Sequence, residues 1–114
     1  MTQTMECDRQ AGVPDVQISV TPGPCGSAEV TVSGEVDLHT AGHLREALVA
    51  ALTIYRGAIA VDLHGVGFCD CAGLNALLAA RSIADQTRRP LRVTTASRPV
   101  GRLLDVTGTR PTLM

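Results

Sequence analysis

Tryptophan and lysine are both absent from this chain of 114 residues, and Phe68 and Tyr55 are its only phenylalanine and tyrosine. Without aromatic side chains there are no platforms on which bases or sugar rings stack, and the core has to be aliphatic. A charge excess of either sign is also missing, because ten arginines nearly cancel eleven acids and leave a formal charge of −1. Binding to nucleic acid through its phosphates calls for a basic surplus, so no direct nucleic-acid contact is expected. No apolar run approaches the ~18 residues that cross a bilayer. The opening MTQTMECDRQAGVPDVQ mixes both charges and lacks the apolar core of a signal peptide. The expectation is a cytoplasmic protein without membrane contact. In that compartment Cys7, Cys25, Cys69 and Cys71 are not a disulfide framework, and they lack the paired C-x-x-C hooks of structural zinc. What the chain does have is 45% hydrophobic and 18% charged residues, the balance of a globular fold, at a length typical of one domain.

Residues 1–14 are polar and aperiodic and read as a leader to a domain over 15–110, with 111–114 as a tail. Val16, Ile18 and Val20 alternate with polar neighbours, as do Val30, Val32 and Val36 after a turn-rich Thr21–Ser27, which predicts an antiparallel hairpin. Thr40 is placed to N-cap a helix carrying Leu44, Ala47, Leu48, Ala51, Leu52 and Tyr55 on one stripe. Ala58–Leu63 reads as a strand covered on both faces. Leu74, Leu77, Leu78, Ala80, Ile83 and Ala84 give a second helix, Leu91–Thr95 another strand, and Pro99–Leu104 a last helix ending at Gly108. The resulting order, β-β-α-β-α-β-α, predicts an α/β fold with a mixed sheet of four to five strands and helices packed on it. Leu44, Leu48, Leu52, Ile59, Val61, Leu77, Leu78 and Leu104 are its expected aliphatic framework.

The unusual segment is Phe68-Cys69-Asp70-Cys71-Ala72-Gly73-Leu74-Asn75, which leaves a strand and opens a helix. Carboxyl ends of strands are where ligands and partners meet α/β sheets, and a helix start suits a phosphoryl group. Catalytic chemistry is harder to build. Cys71 has no histidine placed beside it as a base, and Gly65 and Gly67 lack the Lys-Ser/Thr that completes a P-loop. His39 and His43 stand four apart, but the position after His39 is Thr40 rather than the glutamate of H-E-x-x-H. Cys69, Cys71 and His64 want a fourth ligand. No catalytic residue, metal or cofactor is therefore expected.

Four segments resemble one family in order and spacing: Gly34-Glu35-Val36-Asp37 with Thr40-Ala41, Val61-Asp62-Leu63, Phe68 to Leu74, and Arg102 to Gly108 ending in Thr-Gly. Together they cover roughly residues 16–110 and are similar to the STAS domain of bacterial anti-anti-sigma factors, also called anti-sigma factor antagonists. The resemblance implies a binding regulator rather than an enzyme. Its expected partner is an anti-sigma factor, commonly a serine kinase of the histidine-kinase-like ATPase fold, and binding it releases a sigma factor. The family's phosphorylated serine directly follows its aspartate, and the phosphate blocks binding. A phosphate adds about −1.5 to −2 charges, here beside Asp70 and Asp37.

This chain departs from the pattern where it matters. The acceptor position holds Cys71, followed by Ala72, so neither residue carries a hydroxyl. The implied partner surface comprises Asp37, Thr40, Asp70, Cys71, Ala72, Gly73 and Asn75, with Cys71 as a substituted acceptor that keeps serine's shape. Two alternatives stay open: a STAS scaffold, such as a small-molecule or lipid-transport-associated module, and a thiol-based redox regulator. Family members usually continue past Arg110–Met114 into a further helix, and the missing element leaves that surface open to pairing as a homodimer.

Overall fold

The computed structural model describes residues 16–114. The alternating valines form the hairpin: β1 (Val16–Pro22) runs antiparallel to β2 (Ala28–Val36), with Val20 opposite Val30 and Ile18 opposite Val32. From there the chain alternates helix and strand through α1 (Ala41–Ile54), β3 (Ile59–Cys69), α2 (Cys71–Gln86), β4 (Leu91–Ala96) and α3 (Arg98–Thr107). A single turn, α4 (Arg110–Leu113), follows. The sheet has four strands in the order β1-β2-β3-β4, with β2, β3 and β4 mutually parallel. Both parallel connections advance in the same direction across the sheet, so right-handed crossovers set α1 and α2 side by side on one face.

Alternation decides which residues meet those helices. Val30, Val32, Ile59, Val61, Leu63, Leu91 and Val93 point into the core with Leu44, Leu48, Leu77 and Leu104. Their neighbours Glu29, Arg92 and Thr94 face solvent, so the sheet is covered on one face only. Among the expected framework residues Leu78 alone is only half-buried.

Three features differ from the sequence-based expectations. β3 extends to Cys69, past Leu63 where the sequence pattern ends the strand. Its register against β2 slips twice, so Thr31 and Ser33 face Asp62 and Gly65, and Gly34 and Glu35 face Val66 and Phe68. Each slip inserts one extra residue, and such bulges break the two-residue period that a sequence reading depends on. Second, the tail at 111–114 carries helix, since α4 runs through Leu113. Leu113 is fully buried, and Arg81 holds the turn by donating from Nη1 to the Thr112 carbonyl while its Nε pairs with Asp85. Third, β3 is not covered on both faces as its apolar run predicts: Ala60 and Asp62 on its second face stay half-buried. Arg89, just past α2, donates from Nη1 to the Leu52 carbonyl at the end of α1, 2.6 Å away, and ties α1 to the turn after α2. The leader expected over residues 1–14 lies outside the described residues.

Candidate functional site

β2 and β3 end side by side, with Val36 paired to Cys69 and the Asp70 amide donating to the Val36 carbonyl at 3.1 Å. An aspartate follows each strand at this carboxyl end. Asp70 has extended backbone, and its Oδ1 accepts from the amides of Ala72 (2.9 Å) and Gly73 (3.2 Å). It is therefore the N-cap of α2, satisfying donors that a helix start leaves without partners. Asp37 repeats the device, its Oδ1 accepting from the amides of His39 (2.9 Å) and Thr40 (3.2 Å). Partial burial works against the Asp37 charge. The hydrogen bonds from His39 and Thr40, with the positive field of His39, outweigh it and hold the carboxyl below its ordinary value.

Thr40 stands at the N-cap position of α1, as its spacing predicts, but its backbone is already helical, its hydroxyl makes no cap bond and only 6% of it is exposed. Its hydroxyl turns back into the loop, accepting from the Asp37 amide and donating to the Glu35 carbonyl, both at 2.9 Å. Thr40 stitches the loop shut. Gly73 is likewise interior. A β-carbon there would stand 2.7 Å from both Cys69 Sγ and Val36 Cγ1, so only glycine lets α2 start this close to the two strand ends.

What remains accessible is Asp37, Asp70 and Ala72 in part, and Cys71 and Asn75 more fully. Cys71 is exposed as the first residue of α2, whereas Cys69 is half-buried beneath it. Burial first, then the charges of Asp70 and Cys71, push the Cys69 thiol up to about 11. Cys69 is thus a neutral, weakly nucleophilic packing group near pH 7. Ala72 and Asn75 line a shallow groove of about 360 Å³ between α1 and α2, with Gly42 and Arg45 on its far wall. The loop also carries Leu38, 77% exposed, which sequence reasoning passed over. A large apolar residue between polar neighbours in a loop was the available signal. No group of three or more metal-ligating side chains occurs among the described residues. No helix among them is long and apolar enough to cross a membrane.

The arrangement is a strand-end surface with two capped acids and a thiol at the first position of a helix. The family model described as "Mlab, STAS domain" matches residues 24–111. An anti-sigma-B factor antagonist of Staphylococcus epidermidis is 32% identical over 80 residues, covering 70% of this chain and 74% of that protein. The chain is a STAS domain of the anti-sigma factor antagonist family. The Staphylococcus aureus antagonist is 31% identical over the same share of each chain. Among solved structures, an anti-sigma factor antagonist from Mycobacterium paratuberculosis superimposes with a TM-score of 0.78 at 28% identity, covering 89% of this STAS domain and 86% of that chain. The antagonist SpoIIAA in its unphosphorylated form shares the fold, with a TM-score of 0.73 at 16% identity and 86% of each chain covered.

Proposed function

We propose that this STAS domain acts in the cytoplasm by binding a kinase-type anti-sigma factor through the end of the sheet at Asp37, Asp70, Cys71, Ala72 and Asn75, and that it does so without the serine switch. The observation that carries this reading is the placement of Cys71. It is exposed at the first position of α2, directly after the capping Asp70, where the family resemblance sets the phosphorylated serine. A thiol of nearly serine's shape keeps the docking surface intact, while the alcohol that a serine kinase activates is gone. A binding role accords with relatives named as antagonists.

The test uses a purified ATPase-fold anti-sigma factor from the same source, with ATP. The wild-type domain binds it in titration calorimetry and gains no phosphoryl group by intact mass. Cys71→Ser restores phosphorylation, and Cys71→Asp weakens binding by about tenfold or more, because it places like charge in the contact. Stable phosphorylation of residue 71 in the wild type, or full affinity in Cys71→Asp, overturns the reading.

The missing hydroxyls at Cys71 and Ala72 also fit a STAS scaffold that never used such a switch. Failure to bind every ATPase-fold anti-sigma factor tried would favour that second reading. Thiol regulation is less well supported, since Cys69, with its raised pKa, is a poor resolving partner for Cys71.

A further inference from the structure

A second groove, of about 420 Å³, lies between the end of β3 and α3, and it shares no residue with the Asp37–Thr40 or Asp70–Asn75 segments. Its floor and walls are Phe68, Cys69, Leu103 and Val106, and Arg98 and Arg102 stand on its α3 side. The second slip in β3 creates it. Val66 is buried, and without an extra residue the side chain two positions on would point inward as well. The bulge instead turns Phe68 outward, opposite Glu35, and leaves it 48% exposed. Across the groove Val106 is 79% exposed, so the chain's one phenylalanine and a valine meet solvent on facing walls.

The charged side chains that line the groove are both arginines, while Glu35 lies on the β2 side of Phe68, away from α3. Arg98 and Arg102 are four residues apart on α3, one helical turn, and both are exposed. Among the described residues neither has an ion-pair partner, whereas Asp105, the acid on α3, is taken by Arg110. From this complementarity we propose that the groove docks an acidic amphipathic helix of a partner protein. Apolar side chains of that helix would cover Phe68 and Val106, and two carboxylates one turn apart would face Arg98 and Arg102. A protein helix suits the site better than a free amphiphile. With its walls about half or more exposed, the groove cannot enclose a small ligand, whereas a helix brings the cover of its own protein with it. The inference does not depend on the partner being an anti-sigma factor.

The test is an amide NMR titration of the whole chain with a synthetic helical peptide of about four turns. Its leucines follow i, i+3, i+7 spacing, and two glutamates flank them at i, i+4. A twin peptide with glutamine in both acidic places, and decanoate, are the other probes. The acidic peptide is expected to shift the amides of Phe68, Leu103 and Val106. The glutamine twin, and the Arg98→Glu/Arg102→Glu double variant with the acidic peptide, should bind about tenfold more weakly. Both arginines are exposed, so the variant's fold should persist, which circular dichroism checks. Equal binding of the two peptides, shifts centred on Cys71 and Asn75, saturation by decanoate but not by the acidic peptide, or no shift at all would each overturn the proposal.

Discussion

The two loops at the carboxyl end of the sheet begin alike and finish differently. In each, an aspartate Oδ1 accepts from the amides two and three residues on, His39 and Thr40 in one and Ala72 and Gly73 in the other. After Asp70 the helix starts at once and Gly73 packs it onto the strand ends, so residue 71 is presented at a fixed position. After Asp37 the helix waits until Ala41, and the buried Thr40 hydroxyl closes the extra backbone, leaving Leu38 and His39 outside. One capping device thus serves two purposes. Backed by close packing it holds a single side chain in register, and backed by a side-chain stitch it holds a short loop that offers apolar and polar contacts together.

That contrast breaks most readily at its packed half. Gly73→Val drives a branched side chain into Cys69 and Val36, and overpacking of this kind costs about 1–3 kcal/mol. The upper end is expected, as loss of stability in urea denaturation, because Val36 is buried and held in a strand. The stitched half should yield to Thr40→Val, which keeps shape but leaves the Asp37 amide and Glu35 carbonyl without the hydroxyl they share. An unsatisfied buried group costs about 1–3 kcal/mol, and part-burial here puts the expected loss near 2 kcal/mol. If Thr40→Val proves neutral, water replaces the hydroxyl and the loop is not held as described. Removing the shared device is milder. Asp70→Ala should cost about 1 kcal/mol, as lost N-caps do, while leaving the packing at Gly73 in place.

The fold was open to sequence reading because its periodicities are clean. The valine alternation of β1 and β2 and the leucine stripe of α1 and α2 each have a single face to bury. Legibility failed where period and geometry part. The slips in β3 hid the end of the strand and the outward turn of Phe68, although Gly65 and Gly67 inside an apolar run were the trace they left. The site was legible in its residues but not in their division of labour. Asp37, Asp70 and Cys71 lie together at the strand ends as the motif spacing suggested. Thr40 and Gly73 share their motif yet face inward, because a hydroxyl that completes a loop and a glycine that admits a helix are indistinguishable in sequence from exposed contacts. The Leu113 anchor was hidden for a different reason. A single turn of helix has no period to detect, and its burial depends on Arg81 in α2, thirty-one positions away from Thr112.

The finest distinction at the paired caps is electrostatic, and it has a definite sign. The folded chain holds the Asp37 carboxyl below its ordinary value, so the unfolded chain takes up this proton first as pH falls. The ionised form therefore stabilises the fold above the unfolded value of about 3.9. That stabilisation is lost progressively as pH drops through the lower folded value. Asp37→Asn separates this charge from the cap geometry, because the amide oxygen still accepts from His39 and Thr40 while the charge is gone. The wild type should be slightly the more stable of the two near neutral pH, with the gap closing below about pH 4 as its own carboxyl becomes neutral. Urea titrations of both proteins across that range would read it. A gap that stays constant into acid would mean that the hydrogen bonds alone, and not the charge on Asp37, hold the first loop.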